Sequence, residues 1–300
     1  MHLSHLVFLA GVLGVTAHPS GHAQFHRNAH KRDEPVFVKA VHQPIPVPDA
    51  KVSAAAVPAA SPSAAAAATP SASAQSSDSQ AGSDKFIPFC SDSTATKKAK
   101  RVTAAQIMYT GNLGTANGCP WNSNMMIIPN NIADKYKHVQ TYQNVAKEAY
   151  QVVCGNKMGA DGLLTGMFKT DANKHLVFTL QPGETKTLVA DSNTQAICAF
   201  APGEVPTTTF GQFAGNWVEV DFDNSSNGGW SGADCSSLVA QAYNMDVPGC
   251  SVCSSGTCSD ILPGGKGINA YTKGMEALDG IGLNLAPGKV NLNVKVGYSG

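Results

Sequence analysis

Between Trp217 and Asp234 the chain concentrates the side chains best suited to chemistry: Glu219, Asp221, Asp223, Trp230 and Asp234. The first part alternates. Val218, Val220 and Phe222 fall on one side of an extended segment, Glu219, Asp221 and Asp223 on the other, the period of a half-buried strand. The three carboxylates are therefore expected on one exposed face. At a rise of about 3.3 Å per residue, Glu219 and Asp221 have Cα atoms about 6.6 Å apart. Glycoside hydrolysis needs two carboxyl groups, about 5–5.5 Å apart for retention or about 6.5–9.5 Å for inversion, one of them kept protonated. The spacing permits such a pair. It equally permits a solvated strand face, or a carboxylate cleft that accepts hydrogen bonds from sugar hydroxyls without catalysis. Trp230, among glycines, is expected to be exposed and able to stack on a sugar ring, with Tyr243 as a second candidate. Trp217, which begins the strand, is expected in the core.

Other chemistry is poorly supplied. The folded part holds only His138 and His175, with no arrangement suggesting a Ser-His-Asp triad. No Gly-rich loop stands at a strand-to-helix junction, so no nucleotide or other cofactor is expected. Formal charge is zero and the basic residues form no stripe beyond Lys97, Lys98, Lys100 and Arg101, which argues against nucleic acid as a partner. All eight cysteines, Cys90, Cys119, Cys154, Cys198, Cys235, Cys250, Cys253 and Cys258, are expected in disulfides; their pairing is open among 105 connectivities. The C-x-x-C at Cys250 and Cys253 lacks a second such pair and a nearby histidine, so zinc is disfavoured. Asn224-Ser225-Ser226 is an N-glycosylation sequon whose use requires an exposed turn.

These residues need a frame. Residues 1–17 read as a signal peptide, with an apolar core too short to span a bilayer; no later window is long and apolar enough to cross one. Residues 18–32 form a His-rich pro-segment ending at Lys31-Arg32, in which His18, His22, His26 and His30 recur every fourth residue and could bind copper or zinc if uncleaved. Residues 33–100, rich in Ala, Ser and Pro, bury too little to fold and read as a disordered linker. The domain itself is placed at residues 101–300. Its strands are expected at residues 106–109, 125–128, 140–143, 150–154, 163–168, 175–180, 185–190, 195–199, 217–223 and 291–298, with one or two helical turns at residues 131–137. Residues 268–278 are the amphipathic helix candidate.

Several strings, in order, resemble the Aspergillus major allergen four family of secreted fungal proteins: MYTGNLG at residues 108–114, PWNSN at 120–124, DKYKHV at 134–139, PGETK at 182–186, VDFD at 220–223, GWSGADCS at 229–236, and INAYT with LDGIG within 268–282. That resemblance implies secretion and IgE binding, and no established activity. More distantly, the order of elements from Tyr150 to Asn244 looks like that of thaumatin-like, or osmotin-like, proteins, whose acidic cleft binds β-glucans and in some members cleaves them. Carried over, that likeness makes Glu219 the strand carboxylate and Asp234 the one opening the next segment. The chain departs from the pattern in having half the usual cysteines, and Ala240 where an acidic residue is expected.

The expectation is a mostly β, disulfide-braced antiparallel β-sandwich, thaumatin-like, with one short C-terminal helix. It is expected to be extracellular or wall-associated and non-catalytic, with cell-wall β-glucan and host IgE as partners. The alternatives are a weak β-1,3-glucanase using Glu219 and Asp234, and metal binding by the His-rich segment.

Overall fold

Short segments with period-two burial build two sheets that share one core. The computed structural model describes residues 84–90 and 119–300. The expected signal peptide, the His-rich segment, the strand at residues 106–109 and the linker apart from residues 84–90 lie outside them. In chain order the elements are β1 (Met125–Ile128), a 3-10 turn (Asn130–Lys135), β2 (His138–Asn144), β3 (Tyr150–Asn156), β4 (Leu176–Leu180), β5 (Thr185–Ala190), β6 (Thr194–Pro202) and β7 (Asn216–Asn224). After a 3-10 turn (Ser225–Asn227) come β8 (Trp230–Ser236), the short helix α1 (Leu238–Ala242), β9 (Cys250–Ser254), β10 (Thr257–Leu262), β11 (Lys266–Ile268), β12 (Leu283–Leu285) and β13 (Val290–Val296).

One sheet has seven strands in the order β1-β5-β2-β13-β9-β10-β11, the other six in the order β12-β8-β7-β6-β3-β4. Pairing is antiparallel, as expected of the sandwich, except between β2 and β13, which run parallel from His138 opposite Val290. The last strand shows the sequence logic most plainly: Val290, Leu292, Val294 and Val296 are buried, while Asn291, Asn293 and Lys295 are exposed. Between the sheets these residues meet Tyr142, Leu188, Val252, Val152, Phe200, Val218, Val220 and Phe222.

The six-stranded sheet is covered on its outer side as well. A second cluster of Val153, Met167, Ile197, Ala199, Phe213, Trp217 and Val239 lies there, which is why β6 is buried along eight of its nine residues. Trp217 is in the core, as its position predicted.

Four disulfides brace the frame. Cys154–Cys198 joins directly opposed residues of β3 and β6, Cys253–Cys258 closes the β9–β10 hairpin, and Cys235–Cys250 ties β8 to β9 of the other sheet. Cys90–Cys119 fastens residues 84–90, whose Phe86 and Phe89 pack on Tyr136. Cys253, Cys258 and Asp260 lie close together, but both sulfurs are spent in a disulfide.

Two expected elements are absent. Residues 163–168 form no strand: Asp161 Oδ1 accepts from the Leu163 amide and the Thr165 hydroxyl and fixes a local turn, and Phe168 makes an isolated antiparallel bridge to Gln212. Residues 268–278 are not a helix. The chain leaves β11 at Ile268, Asn269 takes a left-handed φ of 51°, and isolated turns follow at Thr272–Met275 and Met275–Leu278. The helix is instead α1, after Ser237, with Leu238, Val239 and Ala240 all buried.

Candidate functional site

On β7 the outward-facing residues are Trp217, Glu219 and Asp221. Register sets Ser236, Asp234 and Gly232 of β8 opposite them, and Ala199, Ile197 and Gln195 of β6 on the other side. Trp217 and its neighbours fill one end of this face with apolar packing. Toward the other end the face is open and forms the floor of a cleft of about 710 Å³. Gln195, Glu219, Asp221, Gly232 and Asp234 lie in the floor with Asn284 of β12, and Trp230 stands at the rim, 40% exposed as expected of it.

The far wall is the connection between β11 and β12. Its two ends are clasped by a reciprocal amide pair: Asn269 Nδ2 donates to the Gly282 carbonyl and Asn269 Oδ1 accepts from the Gly282 amide, both at 3.0 Å. Gly282 has φ 104°, and a Cβ there would meet Asp234 Cβ at 2.7 Å; only glycine lets the wall close on the floor at that point. The segment carries Tyr271, Asp279 and Ile281 to the cleft, and Tyr271 Oη accepts from the Ile281 amide.

The floor is not the solvated carboxylate face that alternation predicted. Glu219 is 1% exposed, packed beside Lys157 and Asp234 rather than facing solvent. Lys157, just past the end of β3, places Nζ 3.0 Å from Glu219 Oε2 and is itself buried. Burial opposes the Lys157 charge, but Glu219, Asp234 and Asp221 more than offset it and hold its pKa above the ordinary value. Asp234 is pushed well above the carboxylate range, by burial first and then by the Glu219 charge, with Lys157 opposing. Asp221 rises to about 6 through burial, against the restraining hydrogen bond of Asn224 and the Lys157 charge.

Asp223 does not join them. A bulge between Asp221 and Asn224 breaks the alternation, Asp223 adopts φ 51°, and its Oδ2 takes a 2.6 Å bond from Lys137. Tyr243 also lies elsewhere, packed on the outer apolar cluster and edge-on to Phe210. The turn after β7 is exposed, but the sequon residue is not. Asn224 is 5% exposed, its Nδ2 donates to Asp221 Oδ2 at 2.6 Å, and its Oδ1 accepts from the amide and hydroxyl of Ser226. The exposed acceptor amide that glycosylation requires is thus folded inward, because it caps the following 3-10 turn.

Of the predicted residues, the fold brings together Glu219, Asp221, Asp234 and Trp230. Lys157, Gln195, Tyr271, Asp279 and Asn284 were not foreseen. Of these, only Lys157 left a trace in sequence, as a cation directly following the buried run of β3.

A profile of the Allergen Asp f 4-like domain matches residues 123–296. The chain is 38% identical over 196 residues to Allergen Asp f 4 of Aspergillus fumigatus, an alignment covering 64% of this chain and 59% of that protein's length. Among solved structures, the thaumatin-like xylanase inhibitor TLXI is similar at 12% identity and TM-score 0.34, over 52% of this chain and 97% of that one. The elicitor MoHrip2 of Magnaporthe oryzae is similar at 13% identity and TM-score 0.31, over 54% and 99%.

Proposed function

This chain belongs to the Allergen Asp f 4-like family, and we propose that it is an extracellular, non-catalytic protein that holds a cell-wall glycan such as β-glucan in its cleft. One observation supports this above the rest: an exposed tryptophan stands over a recessed floor of carboxyl and amide groups. An indole face offers apolar area to a sugar ring, and carboxylates and amides accept from its hydroxyls. The Lys157 ammonium holds Glu219 ionised while burial raises Asp234, so these are the two carboxyl groups that the glucanase alternative would use. Recognition by host IgE and export from the cell belong to the same reading.

Retention of the full chain on insoluble β-1,3-glucan and chitin, beside Trp230→Ala, tests it. Retention on at least one polymer that is lost in the variant supports the reading. Failure to bind either removes it. Release of reducing sugar from laminarin, abolished in Glu219→Gln, would replace it with the glucanase alternative.

A further inference from the structure

The cleft is unevenly charged. Its lining holds four carboxyl groups, Glu219, Asp221, Asp234 and Asp279, against the single ammonium of Lys157. Lys157 is engaged by Glu219. Asp221 is differently placed. One of its oxygens accepts from Asn224, while Oδ1 is shielded from bulk solvent and has no hydrogen-bond partner among the described residues. Directly across from Asp221 is Gly232, which presents no side chain, and both residues line the cleft. Trp230 lies two residues from Gly232 along β8, about 7 Å at strand rise, close to the length of one hexose ring. A buried carboxylate oxygen lacking a donor is costly unless a ligand supplies one.

Taking the glycan reading above as its premise, we propose that the cleft is selective for amino sugars, seating a protonated amine against Asp221 while the ring stacks on Trp230. The ligand class is a polymer of glucosamine, as in deacetylated chitin, in preference to its N-acetylated or neutral counterparts. The acetyl group removes both the charge and two of the donor hydrogens. An ammonium provides the donor that Asp221 Oδ1 lacks, and Asp279 at the exposed rim adds attraction during approach. The groups facing Asp221 are Glu219 from its own strand, Asp234 from β8, Lys157 from the end of β3 and Asp279 from the wall. An entering cation shifts Asp221 back toward its ionised form, countering the burial that lifts it to about 6.

The test is calorimetric titration of the full chain at pH 6.5 with hexamers of glucosamine, N-acetylglucosamine and β-1,3-glucan, and with hexalysine. The glucosamine hexamer is expected to bind at least about tenfold more tightly than the other three. Asp221→Asn, which keeps the shape and can still accept from Asn224, should reduce that preference to less than about twofold. Equal binding of all three sugars by the native chain overturns the amino-sugar inference and leaves the glycan reading standing. Hexalysine binding as tightly as the glucosamine hexamer, or a preference unchanged in Asp221→Asn, overturns it as well. No binding of any sugar overturns both.

Discussion

Lys157 Nζ lies 3.0 Å from Glu219 Oε2, with the two side chains only 5% and 1% exposed. The pair sits opposite Asp234, so the ammonium is what allows two carboxyl groups to share a recessed strand face. Lys157→Met should therefore cost about 3–5 kcal/mol at pH 7, the usual penalty for orphaning a buried charge. Adding Glu219→Gln should recover part of that loss. Urea unfolding midpoints of the single and double variants read the difference. A single variant as stable as the native chain would show that Lys157 is not what holds the floor together.

His138 sets a pH dependence. It is fully buried, stacked on Phe222 at 5.0 Å, and its pKa falls to about 4 through burial and the Lys137 charge, with Asp223 opposing. The unfolded chain takes up a proton near pH 6.5 that the folded chain refuses until about 4. Stability is thus expected to decline as pH falls through that window, by about 3 kcal/mol in total from this group. His138→Leu should flatten the decline in guanidinium titrations between pH 7 and 4. An unchanged slope would assign acid sensitivity elsewhere.

How much of this was visible in the sequence depends on the range of the interaction. The alternation of β13 and β7, the burial of Trp217 and the exposure of Trp230 are local and were legible. The burial of Glu219 was not, because it depends on Lys157 and Asp234, which pack beside it from elsewhere in the chain. Asp223 was misplaced by a bulge that period-two counting cannot register. The β11–β12 connection looked helical because its apolar spacing suits a helix. Its path is instead set by the clasp of Asn269 on Gly282, thirteen residues away. Cystine formation followed from the number of cysteines, whereas pairing needed the strand registers.

Cys235–Cys250 is the bridge from β8 to β9, closing a separation of 15 residues. Replacing both with Ser should cost about 3 kcal/mol by loop entropy. Because β8 carries Asp234 and Trp230, glycan retention should weaken along with stability. Calorimetric melting of the double variant measures the first effect, and polymer pull-down the second.

Asn224 is predicted to be unmodified in the folded protein. A glycan on its Nδ2 would have to displace the bond to Asp221 and pass out through a nearly closed surface. Peptide mass spectrometry of chain produced in a glycosylating host should find the sequon unoccupied. Full occupancy in a natively stable product would contradict the inward placement of this side chain.

The central claim, that the cleft beneath Trp230 receives a glycan, is tested most directly by acrylamide quenching of tryptophan fluorescence. Trp121 and Trp217 are buried, so the quenchable signal belongs to Trp230. Saturating glycan oligomer is expected to protect that signal by about twofold or more, and Trp230→Ala should abolish both the quenching and the protection. Unaltered quenching of the native chain in the presence of every oligomer tested would contradict the account.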